Sequence, residues 1–146
     1  GVRQLGWHLD WRRFRYYLSE KHNINRAYLF LGYIAENKKL YKFLQQDGFI
    51  LQFRKVSHAS DGSIKGNVDA DLTLRTLLDI NLYDKAVIIT SDGDFYPLVE
   101  YLYAADRLKT IISPHSDTCS HLLKIAAKEK IEYMDKLERK IGYRSK

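Results

Sequence analysis

The spacing of apolar and polar positions changes several times along the chain, and each change predicts an element. Asp10 precedes Trp11, Phe14, Tyr17 and Leu18, apolar at helical spacing behind a good capping side chain, with Arg12, Arg13 and Arg15 on the other faces; this predicts a helix over residues 11 to 22 that Asn23 and Asn25 end. Ala27 to Ile34 is an apolar run with aromatic and β-branched members, the composition of a strand. Leu40, Phe43 and Leu44 recur at i, i+3, i+4 between Asn37 and Asp47, and Gly48 sits where a helix C-cap belongs. A strand over Phe49–Phe53 follows, then a polar loop over Ser57–Lys65 containing Asp61-Gly62. A helix is expected over 68–78, with Ala70, Leu74, Leu77 and Leu78 as its packed face. Strands at 86–90, 110–112 and 131–134 alternate with helices at 95–105 and 118–129. Val87 to Thr90 is four β-branched residues without a charge, the pattern of a strand buried on both faces. Strand and helix alternate throughout, which predicts an α/β fold: a three-layer α/β/α sandwich with a mainly parallel sheet.

At 146 residues and 17.2 kDa the chain suits one domain with a single core, taken as residues 1–133, leaving 134–146 as a basic C-terminal helix or tail. No window approaches a membrane span and the start does not resemble a signal peptide, so a soluble cytoplasmic protein is the expectation, with no membrane partner. The single Cys119 excludes an internal disulfide and a cysteine-based zinc site; although His115 and His121 are near in sequence, it reads as an inert helix residue. The formal charge is +6, and Lys124–Lys146 holds eight Lys or Arg against four acids, so a net +4 belongs to the C-terminal segment. A solvated face explains such a segment as well as a nucleic-acid contact does. Tyr16, Tyr17, Tyr28, Tyr33 and Tyr41 are of the type that stacks bases, though their spacings also suit a core.

The chemistry concentrates where the β-branched run stops. Ser91-Asp92-Gly93-Asp94 puts a hydroxyl and two carboxylates, with a glycine to let the backbone turn, at the carboxyl end of a strand, where open α/β sheets bind ligands. Carboxylates that close repel unless a cation sits between them, and a hard divalent ion with oxygen ligands fits. The plainer reading is that Asp94 caps the next helix, Pro97 lies in its first turn and Asp92 is a turn residue. Asp69 and Asp71 lie two apart on the helix before, so their side chains point about 200° apart and cannot share one site. Asp71 reads as an exposed i,i+4 partner of Arg75, while Asp69 shares a polar line with Thr73 and Thr76; Asp69 is assigned to the metal site and Asp71 is the weaker candidate. Lys65-Gly66-Asn67 would let the chain pass near a phosphate, with Lys65 as a point charge. Asp117 follows the strand at 110–112 and is a further weak candidate, more simply the N-cap of the next helix.

Lys65-Gly66-Asn67-Val68-Asp69-Ala70-Asp71-Leu72, followed by Ile88-Ile89-Thr90-Ser91-Asp92-Gly93-Asp94-Phe95-Tyr96-Pro97-Leu98-Val99, resembles the NYN (LabA-like) family, a branch of the PIN-like nuclease superfamily. The Arg26–Tyr33 and Leu40–Leu44 stretches resemble the same family's second strand and helix. The resemblance implies a Rossmann-like PIN sandwich with an acidic site for Mg²⁺ or Mn²⁺ that cleaves RNA, a metal-dependent endoribonuclease. By position, Asp69, Asp92 and Asp94 match its catalytic and metal-binding acids and Ser91 its small hydroxyl residue; Lys65, Asn67 and Ser91 would contact substrate. The family also begins with a central strand ending in an aspartate, which has no counterpart here, so the first strand is expected to be missing and the sheet to show a gap. Two rivals stand beside the ribonuclease: a non-catalytic RNA-binding or regulatory module of the same fold, and a haloacid-dehalogenase phosphatase using Asp92-Gly93-Asp94. The last asks for Thr or Val where Tyr96 stands. The oligomeric state is left open, a homodimer included.

Overall fold

The computed structural model describes residues 5–54 and 68–143, and the backbone of 57–58 and 64–65. In order they form α1 (Trp11–His22), β1 (Ala27–Gly32), α2 (Lys38–Gln46), β2 (Phe49–Arg54), β3 (Ser57–His58), β4 (Ile64–Lys65) and α3 (Asp69–Leu78). Then come β5 (Ala86–Ile89), α4 (Tyr96–Ala104), β6 (Leu108–Ser113), α5 (His121–Ala127), β7 (Ile131–Tyr133) and α6 (Glu138–Ile141). The ends of α1 follow from its sequence. Asp10 Oδ1 accepts the Arg13 N–H at 3.1 Å, and Asn23 closes the helix at φ 55°. Gly48 after α2 adopts φ 103°, a conformation that only glycine takes cheaply.

All three of the longer strand pairings are parallel. β1 lies beside β2, Ala27 opposite Phe49 through to Gly32 opposite Arg54. β6 is the middle of a second sheet, with Ile88 of β5 opposite Ile111 and Ile111 opposite Ile131 of β7. Covered on both faces, β6 buries Leu108 and Thr110 through Ser113. On one face Phe95, Leu98, Val99, Leu102 and Leu123 pack against Ile88 and Ile111; on the other Phe14, Leu18, Phe49, Met134 and Ile141 pack with Ile112. Two cores sandwich the strands, the three-layer α/β/α arrangement. A polar clamp fixes α1 on β7. Glu132 accepts from Tyr17 Oη at 3.1 Å and contacts His22 Nε2 at 2.9 Å and Lys21 Nζ at 3.0 Å.

Among the described residues no strand joins the β1–β2 sheet to the β5–β6–β7 sheet. Among the described residues β1 pairs with β2 alone and β5 with β6 alone, and residues of both strands line one cleft of about 1520 Å³. α1 contributes Trp11, Phe14 and Leu18 to that cleft and α3 contributes Asp69, Leu72 and Thr76.

Three local expectations are corrected. Ile89, expected to be buried, is 37% exposed, because β5 is an edge strand facing the cleft. The face of α3 that turns inward carries Asp69, Leu72 and Thr76, while Ala70, Leu74, Leu77 and Leu78 are exposed; Leu72 alone of the helix's leucines packs on the core. The ends of the polar loop 57–65 pair as the antiparallel strands β3 and β4, and Asp61-Gly62 lies outside the described residues.

Candidate metal centre

β5 delivers the chain to the site. Beyond its last residue the Thr90 N–H still donates to Ile112 O at 3.1 Å, which carries the strand's direction one residue further. Thr90 Oγ1 then accepts the Asp92 N–H at 3.1 Å, and Asp92 Oδ1 accepts the Asp94 N–H at 2.9 Å. Asp92 thereby caps a short 3₁₀ turn, Gly93–Phe95, that runs into α4 with Pro97 in its first turn. The turn role expected of Asp92 is real and uses one carboxylate oxygen. Asp94 caps nothing in the described chain and stays exposed. Gly93 is needed for space rather than for a left-handed backbone: its φ is not positive, but a Cβ there would lie 3.1 Å from Ser120 Cβ and closer still to Ser120 Oγ. Ser120, which no sequence signal pointed to, holds this loop from α5 by donating its N–H to Ser91 O at 3.1 Å.

α3 brings in the third acid. Asp69 is its first residue, half-buried, and the ligand atoms of Asp69, Asp92 and Asp94 all lie within 4.8 Å of one another. Burial first, then the negative charge and hydrogen bond of Asp92 and the charge of Asp94, push the Asp69 carboxyl above its usual value of 3.8. Such a cluster is unfavourable in a protein with nothing between the carboxylates. Two oxygens on opposite sides of one divalent ion stand about 4 to 5 Å apart, so the three groups are close enough to share a single cation. All the donors are oxygen, the chemistry of Mg²⁺, Mn²⁺ or Ca²⁺ rather than of a soft metal.

The other expected residues fall elsewhere. Asp71 is 3.4 Å from Arg54 Nη1, and Arg75 pairs instead with Asp79 at 2.9 Å, so the expected Asp71–Arg75 pair is not formed. Arg75 reaches forward along α3, and Asp71 is turned outward to β2. Asp117 is exposed and does not cap α5; Ser120 does, its Oγ accepting the Leu122 N–H at 3.3 Å. The helix consequently starts three residues later than expected. Asp117 gives its N–H to His115 Nδ1, and His115 Nε2 lies 3.8 Å from Asp135. Cys119 is buried with a free thiol. Asn67 and the side chain of Lys65 lie outside the described residues.

No helix among the described residues is long and apolar enough to cross a membrane. No curated protein matches the chain. A crystal structure of a protein of unknown function from Vibrio parahaemolyticus superposes with a TM-score of 0.75 at 21% identity, over 90% of this chain and 82% of that one, a likeness of fold. The sequence itself matches the NYN domain over residues 2–134, and with the acidic cluster at the strand end this places the chain in the NYN domain family of the PIN-like nuclease superfamily.

Proposed function

We propose that the protein is a metal-dependent ribonuclease that hydrolyses RNA phosphodiesters at the Asp69, Asp92 and Asp94 cluster. One observation carries this reading: three carboxylates from two separate segments bring ligand atoms within 4.8 Å of one another. The family supports nuclease chemistry in general, and the choice of Mg²⁺ or Mn²⁺ as the ion is part of the proposal. When bound, a divalent ion lowers the pKa of water and stabilises charge developing on the phosphate.

The chain's own residues supply the rest. Asp92 spends one oxygen on the Asp94 N–H, which fixes its carboxylate and leaves the other oxygen for an ion. Asp69 closes the cluster from α3. Ser91, held through its carbonyl by Ser120, offers a hydroxyl beside the acids, and Lys65 and Asn67 just before α3 are proposed to meet the substrate backbone. The test is cleavage of a 20-nucleotide oligouridylate in Mg²⁺ or Mn²⁺ against the same reaction in EDTA. Asp92→Asn keeps an oxygen for the turn but loses a ligand charge, so cleavage falls by about 10²-fold or more. Undiminished cleavage in that variant refutes the mechanism. Binding of the oligonucleotide without cleavage by the parent selects the regulatory module instead.

A further inference from the structure

The sequence left the tyrosines of α1 divided between core and base stacking, and the structure separates them. Tyr17 is buried, whereas its neighbour Tyr16 is 67% exposed. Tyr16 stands in a groove between α1 and α6 lined also by Asp10, Arg12, Arg13, Glu20, Lys21, Arg139 and Lys140, none of which belongs to the acidic cluster. Five cations face two carboxylates there, a net +3, half of the charge of the whole sequence. Asp10 is turned onto the Arg13 N–H as a helix cap. Glu132, just outside the groove, pairs with Lys21 and offsets that cation, which leaves an excess of +2.

The remaining cations are arranged around the rings. Arg13 is fixed by donating to Gly142 O at 3.1 Å and Arg139 O at 2.9 Å, which leaves its charge uncancelled and ties α6 to α1. Lys140 lies 5.9 Å from the Tyr17 ring centroid. Arg12 and Tyr16 are one helical turn apart on the open face of α1, and neither Arg12 nor Lys140 forms an ion pair among the described residues. Cations along a groove with an exposed ring among them are the arrangement by which proteins hold a single strand, phosphates on the cations and a base on the ring. A single strand supplies a phosphate and a planar base at every nucleotide, which matches cations and a ring set side by side along one groove.

We infer that the α1–α6 groove is a second contact surface for single-stranded RNA, separate from the acidic cluster, which holds the strand through phosphates at Arg12 and Lys140 and a base stacked on Tyr16. This deepens the ribonuclease reading and rests on it for the identity of the strand. The probe is a labelled 20-nucleotide oligouridylate, and binding is measured in EDTA from 50 to 200 mM salt, so that cleavage plays no part. Arg12→Ala with Lys140→Ala lowers the slope of log K against log salt by about 1.4, two phosphate contacts at about 0.7 each. Tyr16→Ala weakens binding about 5- to 100-fold. Melting curves confirm that the variants are folded.

Unchanged affinity and slope in both variants overturn the inference, and so does a parent that fails to bind at 50 mM salt or binds only anionic phosphatidylserine vesicles. Failure of the ribonuclease reading shows separately: a parent that binds through this groove yet never cleaves in Mg²⁺ or Mn²⁺ retains the surface and loses the activity.

Discussion

If the three acids form a cation site, removing one of them should abolish the protein's thermal response to divalent ions without harming its fold. In the metal-free protein each pair of charges, at most 4.8 Å apart, repels by at least about 0.9 kcal/mol in a water-like dielectric. Physiological salt roughly halves that, since the screening length is about 8 Å. Asp92→Asn removes two of the three pairs, a relief of about 1 kcal/mol. Against it stands about 0.3 to 1 kcal/mol for a negative charge lost near the start of α4. The capping oxygen survives in Asn, so the turn to the Asp94 N–H is kept. The net is a Tm in EDTA equal to that of the parent or up to about 2 °C above it. Adding the ion at ten times its Kd stabilises the parent by about 1.4 kcal/mol, a rise of several degrees, and the variant hardly at all. The sign with pH follows from Asp69. Its folded pKa is raised, so the folded state holds its proton more tightly and the repulsion penalty is absent below the ordinary value of 3.8, appearing as pH rises through the raised one. The ion-induced shift is therefore full at pH 7 to 8 and fades towards pH 4. Differential scanning fluorimetry reads both. A variant that melts more than about 5 °C below the parent in EDTA, or that gains as much from Mn²⁺ as the parent does, refutes the reasoning.

Two further outcomes test the scaffold. Burial alone would raise the Glu132 carboxyl, but the hydrogen bonds from His22 and Lys21 outweigh it and hold it below its usual 4.5. Its contribution is thus present above pH 4.5 and lost as pH falls through the lowered value; Glu132→Gln costs about 1 to 3 kcal/mol at pH 7 in urea unfolding, and the difference narrows in acid. Gly93→Ala drives a methyl into Ser120, which must give up its hold on Leu122 N–H or displace the Asp92 turn. A loss of about 1 to 3 kcal/mol together with cleavage is expected, and Gly93→Ala with Ser120→Gly recovers both, short of the parent's stability by a few tenths of a kcal/mol, because the clash is gone and glycine is a tolerated N-cap.

Much of this was legible in the sequence because it is local. A helix over 11–22 could be placed from its cap and from Trp11, Phe14, Tyr17 and Leu18, and those boundaries are the ones observed. The nearness of Asp69 to the Asp92 turn was legible only in part: the angle of about 200° between Asp69 and Asp71 excluded both from one site, and Asp69 was chosen because it shares a polar line with Thr73 and Thr76 and because Asp71 was given to Arg75, a pair that does not form. What spacing cannot carry is the partner of a side chain across elements. Asp71 was given to Arg75 because they are four apart, yet Arg54 of β2 reaches it and Arg75 takes Asp79. Ser120 likewise acts on Ser91 and Gly93 from 27 or more positions away, through a packing contact with no signature in composition.

The misplaced face of α3 has a more specific cause. Amphipathic pattern assigns the most apolar face to the core, and by that rule Leu74, Leu77 and Leu78 should be inside. Turning them inward would swing Asp69 to the far side of the helix, since Asp69 lies on the line of Leu72 and Thr76 and these line the cleft. The observed rotation gives up the burial of three leucines and keeps one carboxylate within 4.8 Å of two others that repel it. Packing holds this face inward, with Leu72 against the core and the Tyr83 hydroxyl donating to Thr76 O at 2.6 Å, while the leucine exposure and the carboxylate repulsion both act against it. On the proposed ribonuclease reading, a divalent ion held by these carboxylates would turn their repulsion into an attraction that favours this rotation of α3, with an apolar face left outside as its cost.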